Sequence, residues 1–315
     1  MQGFMVSKHF RNRLEYWGLL FIAVPWYYLP RTASLALGSV LGWFAGHFVP
    51  IRRGVAESNI QRAFPRKSHK EVRKITLQMY RHFGRVVAEF VRQRRYTAAD
   101  LNKFITTENQ HLLDSLSRRG EGAVMLLGHF GNWELLGHWI GAMGYHTVAL
   151  QRPQENPLVD TYIQDQRIYG TLRLLSIHES TSDFLSVLHD GNILFMLADQ
   201  DARQHGIFVD FFGIPSSTPR GAAVFAQKLQ IPIILAFPIR QPDNTYKIIF
   251  EELEYGGRGS TTAIRNILQQ YMNRLEYYVS LYPEQYFWFH RRWKTQPIKQ
   301  NAADAVRPSL AGAAG

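Results

Sequence analysis

From residue 106 onward, short apolar runs alternate with segments whose apolar residues recur every three or four positions. The pattern predicts a helix at about 108–118, closed by Gly120, then a strand at 122–127 and a helix at 132–143. It continues with a strand at 146–150, a helix at about 157–169, a weak strand at 172–176, a helix at 181–189 and a strand at 192–198. A long loop through Pro219 precedes a helix at 220–229, strands at 232–239 and 245–251, and a long helix at about 261–280. This alternation argues an α/β fold with a largely parallel sheet flanked by helices.

The N-terminal part follows another pattern. Two uncharged apolar stretches, Tyr16–Leu29 and Ala33–Val49, are interrupted by Pro30 and Arg31. Neither reaches the roughly 18–20 uninterrupted apolar residues of a spanning helix. Trp17, Trp26, Tyr27, Tyr28 and Trp43 suit an interfacial aromatic belt, and basic residues flank both ends. Residues 1–53 therefore read as a hydrophobic helical membrane anchor, a shallow hairpin or interfacial helix with both ends cytoplasmic; two core helices of a soluble protein are the other reading. A cleaved signal peptide fits poorly, because the apolar region is double and lacks a small-residue cleavage site. Residues 54–67 read as a connector. Ser68 with Glu71 forms a capping-box pattern that opens an amphipathic helix reaching about Tyr96, apolar at Val72, Ile75, Met79, Phe83 and Val86 and basic on the opposite face. The main domain is expected over 54–298, followed by a disordered Ala-, Gly- and Pro-rich tail at 299–315.

Charge sharpens this division. Net charge is +11, yet residues 1–100 hold 17 Lys/Arg against 5 Asp/Glu, whereas residues 101–315 hold 19 against 20. A concentrated positive field suits a polyanion or an anionic lipid surface, or serves only as a solvated face. Cysteine is absent, which excludes disulfides, thiolate metal sites and a cysteine nucleophile.

The candidate chemistry begins at Met125–Leu136, MLLGHFGNWELL, where a strand gives way to a helix. His129 and Glu134 lie five residues apart at this junction. Neutral imidazole can accept a hydroxyl proton, and a carboxylate on its other nitrogen would set the tautomer. Unpaired N–H groups near Asn132 offer a place for developing negative charge. The same two residues can equally be a structural pair. No GxSxG or HExxH motif is present, so no protein nucleophile or zinc site stands out. Arg152 and Asn156, in RPQENP, follow the next strand. Arg152 can clamp a phosphate or brace an oxyanion, and Asn156 before Pro157 also fits a helix cap. Asp199, Gln200 and Asp201 end another strand, where two carboxylates without a third ligand make a weak metal site. Phe208, Phe211, Phe212 and Ile214 form an apolar loop that reads as an acyl-chain wall or as core. Pro283–Lys294, PEQYFWFHRRWK, mixes aromatic and basic residues as a membrane interface or phosphate site does.

Taken in order, HFGNWE, RPxxNP, the Asp199–Gln200 pair, GxFVxFFGxPxxTPxG and PEQYxWxHRRxK resemble the late (secondary) lipid A acyltransferases, from about residue 16 to 297. The resemblance implies a Gram-negative inner-membrane enzyme with its active site facing the cytoplasm. It implies an acyl-carrier-protein thioester as donor, a hydroxyl of an acyl group on a Kdo-bearing lipid A precursor as acceptor, and no cofactor, metal or nucleic acid. It shares the HX4E form of the glycerolipid acyltransferase motif, with His129 as general base and Glu134 as its catalytic partner. Arg152, Asn156 and Asp199 are the substrate-binding candidates. Two other classes remain open on sequence: an acyl-thioester hydrolase using the same dyad, and a basic membrane or nucleic-acid binding protein without catalysis.

Overall fold

The computed structural model describes residues 7–49, 51–256 and 259–297; the expected tail at 299–315 lies outside them. The chain opens with four helices: α1 (Lys8–Tyr28), α2 (Arg31–Phe48), α3 (Arg53–Ala63) and α4 (His69–Arg92). A short helix α5 (Ala98–Leu101) leads into β1 (Ile105–Glu108), α6 (His111–Arg119), β2 (Ala123–Leu127), α7 (Trp133–Ala142), β3 (Thr147–Gln151), α8 (Pro157–Arg167), β4 (Leu172–Ser176), α9 (Thr181–His189) and β5 (Ile193–Leu197). Then come β6 (Ile207–Phe211), β7 (Ile214–Thr218), α10 (Gly221–Leu229), β8 (Ile233–Arg240), β9 (Tyr246–Glu252) and α11 (Thr261–Leu281).

Seven strands form one sheet in the order β1-β9-β8-β2-β5-β3-β4. Every neighbouring pair is parallel except β8 with β9, which agrees with the expected largely parallel sheet. The central strands are apolar throughout because both faces are covered. Val124 and Leu126 of β2 point to one core, shared with α3, α4, α10 and α11. Ala123, Met125 and Leu127 point to the other, shared with α5, α6 and α7.

Two segments depart from the sequence pattern. The expected connector at 54–67 contains α3, whose inward face is Ala56, Asn59, Ile60 and Ala63. Small and polar residues hide its amphipathicity, and Asn59 donates to the carbonyls of Trp288 (2.9 Å) and His290 (2.6 Å). The expected long loop before Pro219 is largely the antiparallel hairpin β6–β7. Its turn is Phe212–Gly213, with φ of 54° and 68°; positive φ at both central residues matches the twist of a tight hairpin.

α2 lies along α4 with its glycines inward. A Cβ on Gly42 would collide with the Tyr80 carbonyl, and one on Gly84 with the Gly38 carbonyl, so this close approach requires glycine. The outward faces of α1 and α2 are apolar and exposed, including Trp17 (64%), Phe21 (82%), Tyr28 (70%), Val40 (58%), Phe44 (50%) and Phe48 (63%). Among the described residues no single helix is long and apolar enough to cross a membrane. Arg92, buried near the end of α4, donates to the carbonyls of Tyr27 (2.7 Å) and Leu29 and so closes the end of α1 with a positive charge.

One buried carboxylate ties these layers together. Glu89 of α4, 1% exposed, accepts from Arg31 (2.8 Å), Arg240 (2.7 Å), Tyr246 (2.6 Å) and Asn132 (2.9 Å). Burial pushes its pKa up, but Arg240 and Arg31 outweigh that and hold the group below the ordinary glutamate value. A depressed folded-state pKa contributes stability above the unfolded value that is lost as pH falls through the folded one. Glu89→Gln should cost about 3–5 kcal/mol at neutral pH, because it strands buried Arg240. Denaturant titrations across the acid range should show the gap between the two proteins closing as pH falls. A gap that stays constant with pH would rule out the ionised network.

Candidate active site

β2 delivers the first functional side chain. It ends at Leu127, and Gly128 leads directly to His129. The loop that follows is pinned by its backbone. Phe130 N–H donates to the Gly128 carbonyl (2.8 Å), Gly131 to Gln285 (2.9 Å), Asn132 to Pro238 (3.3 Å), and Phe287 donates to the His129 carbonyl (2.9 Å). Gly131 has φ of 61°, and a Cβ there would strike the Pro238 carbonyl. Asn132 caps α7 through its side-chain oxygen, which accepts from Leu135 N–H (3.0 Å). The N–H groups of residues 130–132 are thus occupied.

The carboxylate on the imidazole is Asp199. Its Oδ1 lies 2.6 Å from His129 Nδ1, and its Oδ2 accepts the His129 backbone N–H at 2.8 Å. Strand register explains the pair: Leu127 of β2 sits opposite Leu197 of β5 in parallel, so residues two beyond each strand end meet. Asp199 is 2% exposed. Burial alone would raise its pKa, but the charge and hydrogen bonds of His129, with Arg292 behind them, lower it. An ionised carboxylate only accepts, so Nδ1 carries a proton, and in the neutral imidazole the lone pair is on Nε2. The side-chain nitrogen of Gln200 lies 3.3 Å from Nε2, and the Trp133 ring meets the imidazole edge-on at 5.0 Å. Asp199, expected as a substrate-binding candidate, is placed against His129, which engages both of its oxygens.

Glu134 has a different partner from the one expected. Its two oxygens receive Arg167 of α8 at 2.6 and 2.9 Å, and Oε1 also accepts from Trp133 Nε1 at 3.1 Å. From the first turn of α7 the side chain faces α8, while Asp199 fills the space beside Nδ1. His129 and Glu134 nevertheless line one cavity of about 220 Å³, between α7 and strands β3, β4 and β5. Its inner wall is Gly137, Leu172, Leu174 and Phe195, and Arg152 and Arg167 stand among its polar residues.

Arg152 is exposed and has no acidic partner within ion-pair distance among the described residues. It also borders an adjoining basic basin of about 840 Å³ that holds Arg52, Arg203, Arg291 and Lys294 with Asp201 and His290. Asn156, expected as a substrate-binding candidate or a helix cap, takes the capping position. It is buried; its oxygen caps α8 at Leu158 N–H (3.1 Å), and its Nδ2 donates to Asn12 O and Glu15 Oε2, both at 2.9 Å. The aromatic loop after Gly206 does not wall the cavity. Phe211 is fully buried and stacks on Trp293 at 5.9 Å, in the core beneath α11. Of the basic residues near the C-terminus, Arg292 is a buried clamp on Ser217 O and Thr218 Oγ1 (both 2.6 Å), while Arg291 and Lys294 face the basin. Sequence reasoning missed the roles of Gln200 and Arg167. The first adjoins Asp199 at a strand end, which is a usable signal; nothing local marks the second.

The bacterial lipid A biosynthesis acyltransferase family model matches residues 4–295. The lipid A biosynthesis lauroyltransferase of Escherichia coli (strain K12) is 28% identical over 294 residues, 89% of this chain and 90% of that protein. The palmitoleoyltransferase of the same organism is 25% identical over 297 residues, 93% and 95% of the two chains. A phosphatidylinositol mannoside acyltransferase of Mycobacterium tuberculosis (strain ATCC 25618 / H37Rv) is 31% identical over a shorter span of 118 residues. A match that takes in β2, the His129 loop, the Arg167 pair and the Asp199 strand end together makes the protein an acyltransferase, and the chain belongs to the bacterial lipid A biosynthesis acyltransferase family.

Proposed function

We propose that the enzyme transfers a fatty acyl chain from an acyl-carrier-protein thioester to a hydroxyl on an acyl group of a Kdo-lipid A precursor, with His129 as general base. The observation that carries this reading is the outward Nε2 of His129, held by Asp199, beside a cavity with apolar inner walls. In the proposed step Nε2 takes the acceptor hydroxyl proton as that oxygen bonds to the thioester carbonyl carbon. The oxyanion so formed is met by Arg152, by the Gln200 amide or by backbone N–H groups in the first turn of α7. When it collapses, the carbon–sulfur bond breaks, and the thiolate leaves with the proton returned by the imidazolium.

Other features support the partners. The basin around Arg52, Arg203, Arg291 and Lys294 suits the acidic carrier protein or the acceptor's phosphates. The exposed apolar faces of α1 and α2, beside a basic N-terminal segment, suit residues 1–53 as an interfacial anchor on the cytoplasmic face of a Gram-negative inner membrane. The remaining chain to residue 298 forms the acyltransferase domain in this reading. Glu134 acts through Arg167 and sets the polar part of the cavity.

His129→Ala should lower kcat by about 10²–10⁴-fold in acyl transfer from an acyl-carrier-protein thioester, and Asp199→Asn by a comparable order. Near-normal turnover by a correctly folded His129→Ala protein would remove the general-base assignment. Running the same assay without lipid acceptor tests hydrolysis; undiminished thioester cleavage there would sink the transfer reading.

Glu134→Gln and Arg167→Gln each break one ion pair, so their losses in kcat/KM should not add in the double variant. Strict additivity would separate the two roles. A Cβ at Gly137 meets only Leu172 Cδ2, at 3.6 Å, so Ala fits and larger side chains project into the cavity. Gly137→Leu should shift donor preference toward shorter acyl chains by roughly tenfold, on the order of 0.8 kcal/mol for each methylene excluded. Competition between donors of different length measures this, and an unchanged preference would place the chain elsewhere.

A further inference from the structure

A second cavity, of about 310 Å³, lies on the reverse side of the His129 loop. Gln78, Arg81, His82 and Arg85 face it from successive turns of α4. Arg240 and Pro242 enclose it from the end of β8, and Glu284 and Gln285 from the turn after α11. Three arginines converge here. Arg81 and Arg85 are like charges four residues apart on one helix, an unfavourable spacing when nothing lies between them. Neither has a carboxylate within ion-pair distance among the described residues; both donate to Ser39 Oγ of α2, at 3.0 and 3.2 Å. Arg240 is 4% exposed. One of its nitrogens serves Glu89, while Nε and Nη1 are buried without an acceptor. A buried, half-satisfied guanidinium is costly unless an acceptor is supplied.

We propose that this cavity binds a phosphate group, as carried by an anionic lipid headgroup. Arg240 supplies a fixed buried charge with N–H groups to spare, and Arg81 and Arg85 supply the rim, a donor set matched to phosphate oxygens. Burial, and after it the like charges of Arg240 and Arg81, lower the pKa of Arg85, and an anion in the cavity would offset the repulsion. Glu284 is the one carboxyl in the wall, and burial raises its pKa toward the neutral, hydrogen-donating form. A lipid source follows from position. Ser39 is shared by both rim arginines, and the exposed apolar residues Val40 and Trp43 follow it on α2. A headgroup in the cavity would thus have its acyl chains beside the apolar face of α2. The floor is also the back of the catalytic loop, since His82 Nε2 contacts Gly131 O at 2.9 Å and Gln285 accepts the Gly131 N–H.

The test is co-sedimentation of the full chain with phosphatidylcholine vesicles, with and without phosphatidic acid. The Arg81→Gln/Arg85→Gln double variant should lose roughly tenfold in affinity for the phosphatidic acid vesicles and nothing for the neutral ones. Arg81→Lys/Arg85→Lys should retain most of the binding. Lys70→Gln/Lys74→Gln, the same charge change on exposed positions of α4, should lose much less. Equal losses on both vesicle types would mean that the arginines only hold α2, and an equal loss in the Lys70/Lys74 variant would mean unspecific attraction; either result overturns the site. Inorganic phosphate provides the second arm. If it raises the melting temperature of the wild type and not of the double glutamine variant, while the vesicles are not discriminated, the oxyanion site stands and its source is soluble phosphate.

Discussion

The burial of Glu89 constrains the molecule more than any other single interaction. A carboxylate with 1% exposure survives only if its charge and lone pairs are met, and the four groups that meet it come from four places: the start of α2, the N-cap of α7, the end of β8 and the start of β9. None of these elements can shift without breaking a hydrogen bond to the buried charge. Asn132 sits at the join, giving its amide nitrogen to Glu89 and its oxygen to the first turn of α7. The loop carrying His129 is therefore held from behind by an electrostatic network and from the sides by its own backbone hydrogen bonds.

That rigidity decides how the chemistry is divided. With the N–H groups of residues 130–132 committed, the loop is fixed in place, and His129 is its residue that lines the cavity. Asp199 sets its tautomer from the neighbouring strand, and Glu134 is left to hold Arg167. A single carboxylate five residues from the histidine could not do both. The cavity with the apolar wall and the basic basin then share Arg152, which lines each. A molecule with a hydrocarbon chain and an anionic head could lie across that residue.

Much of the architecture was legible in the chain. The alternation of apolar runs with helical periodicity located β2 through α9 within a few residues, because buried parallel strands must be apolar and surface helices must be amphipathic. The capping box at Ser68 is present as read, with both of its hydrogen bonds. Two segments were not legible for identifiable reasons. α3 buries Asn59 and small side chains in place of an apolar stripe, and the β6–β7 hairpin turns on Phe212–Gly213 in place of the usual Asn-Gly. The core role of Phe211 and the clamp by Arg292 were hidden too, since an aromatic or basic cluster looks the same in sequence whether it faces lipid or closes a core.

The sequence by itself determined the α/β class, the strand–helix junction that carries His129, the separation of a basic apolar N-terminal third from a near-neutral remainder, and the likeness to a family of acyltransferases. Only the tertiary structure decided which carboxylate meets the imidazole. Glu134 is near His129 along the chain, but helix geometry turns it toward α8. Asp199 is seventy residues away and arrives because β5 lies beside β2 in a register that aligns Leu197 with Leu127. Local patterns in a sequence report the period of an element and the face it buries. Which residues of distant elements meet is set by strand order and register, and those exist only once the sheet has formed.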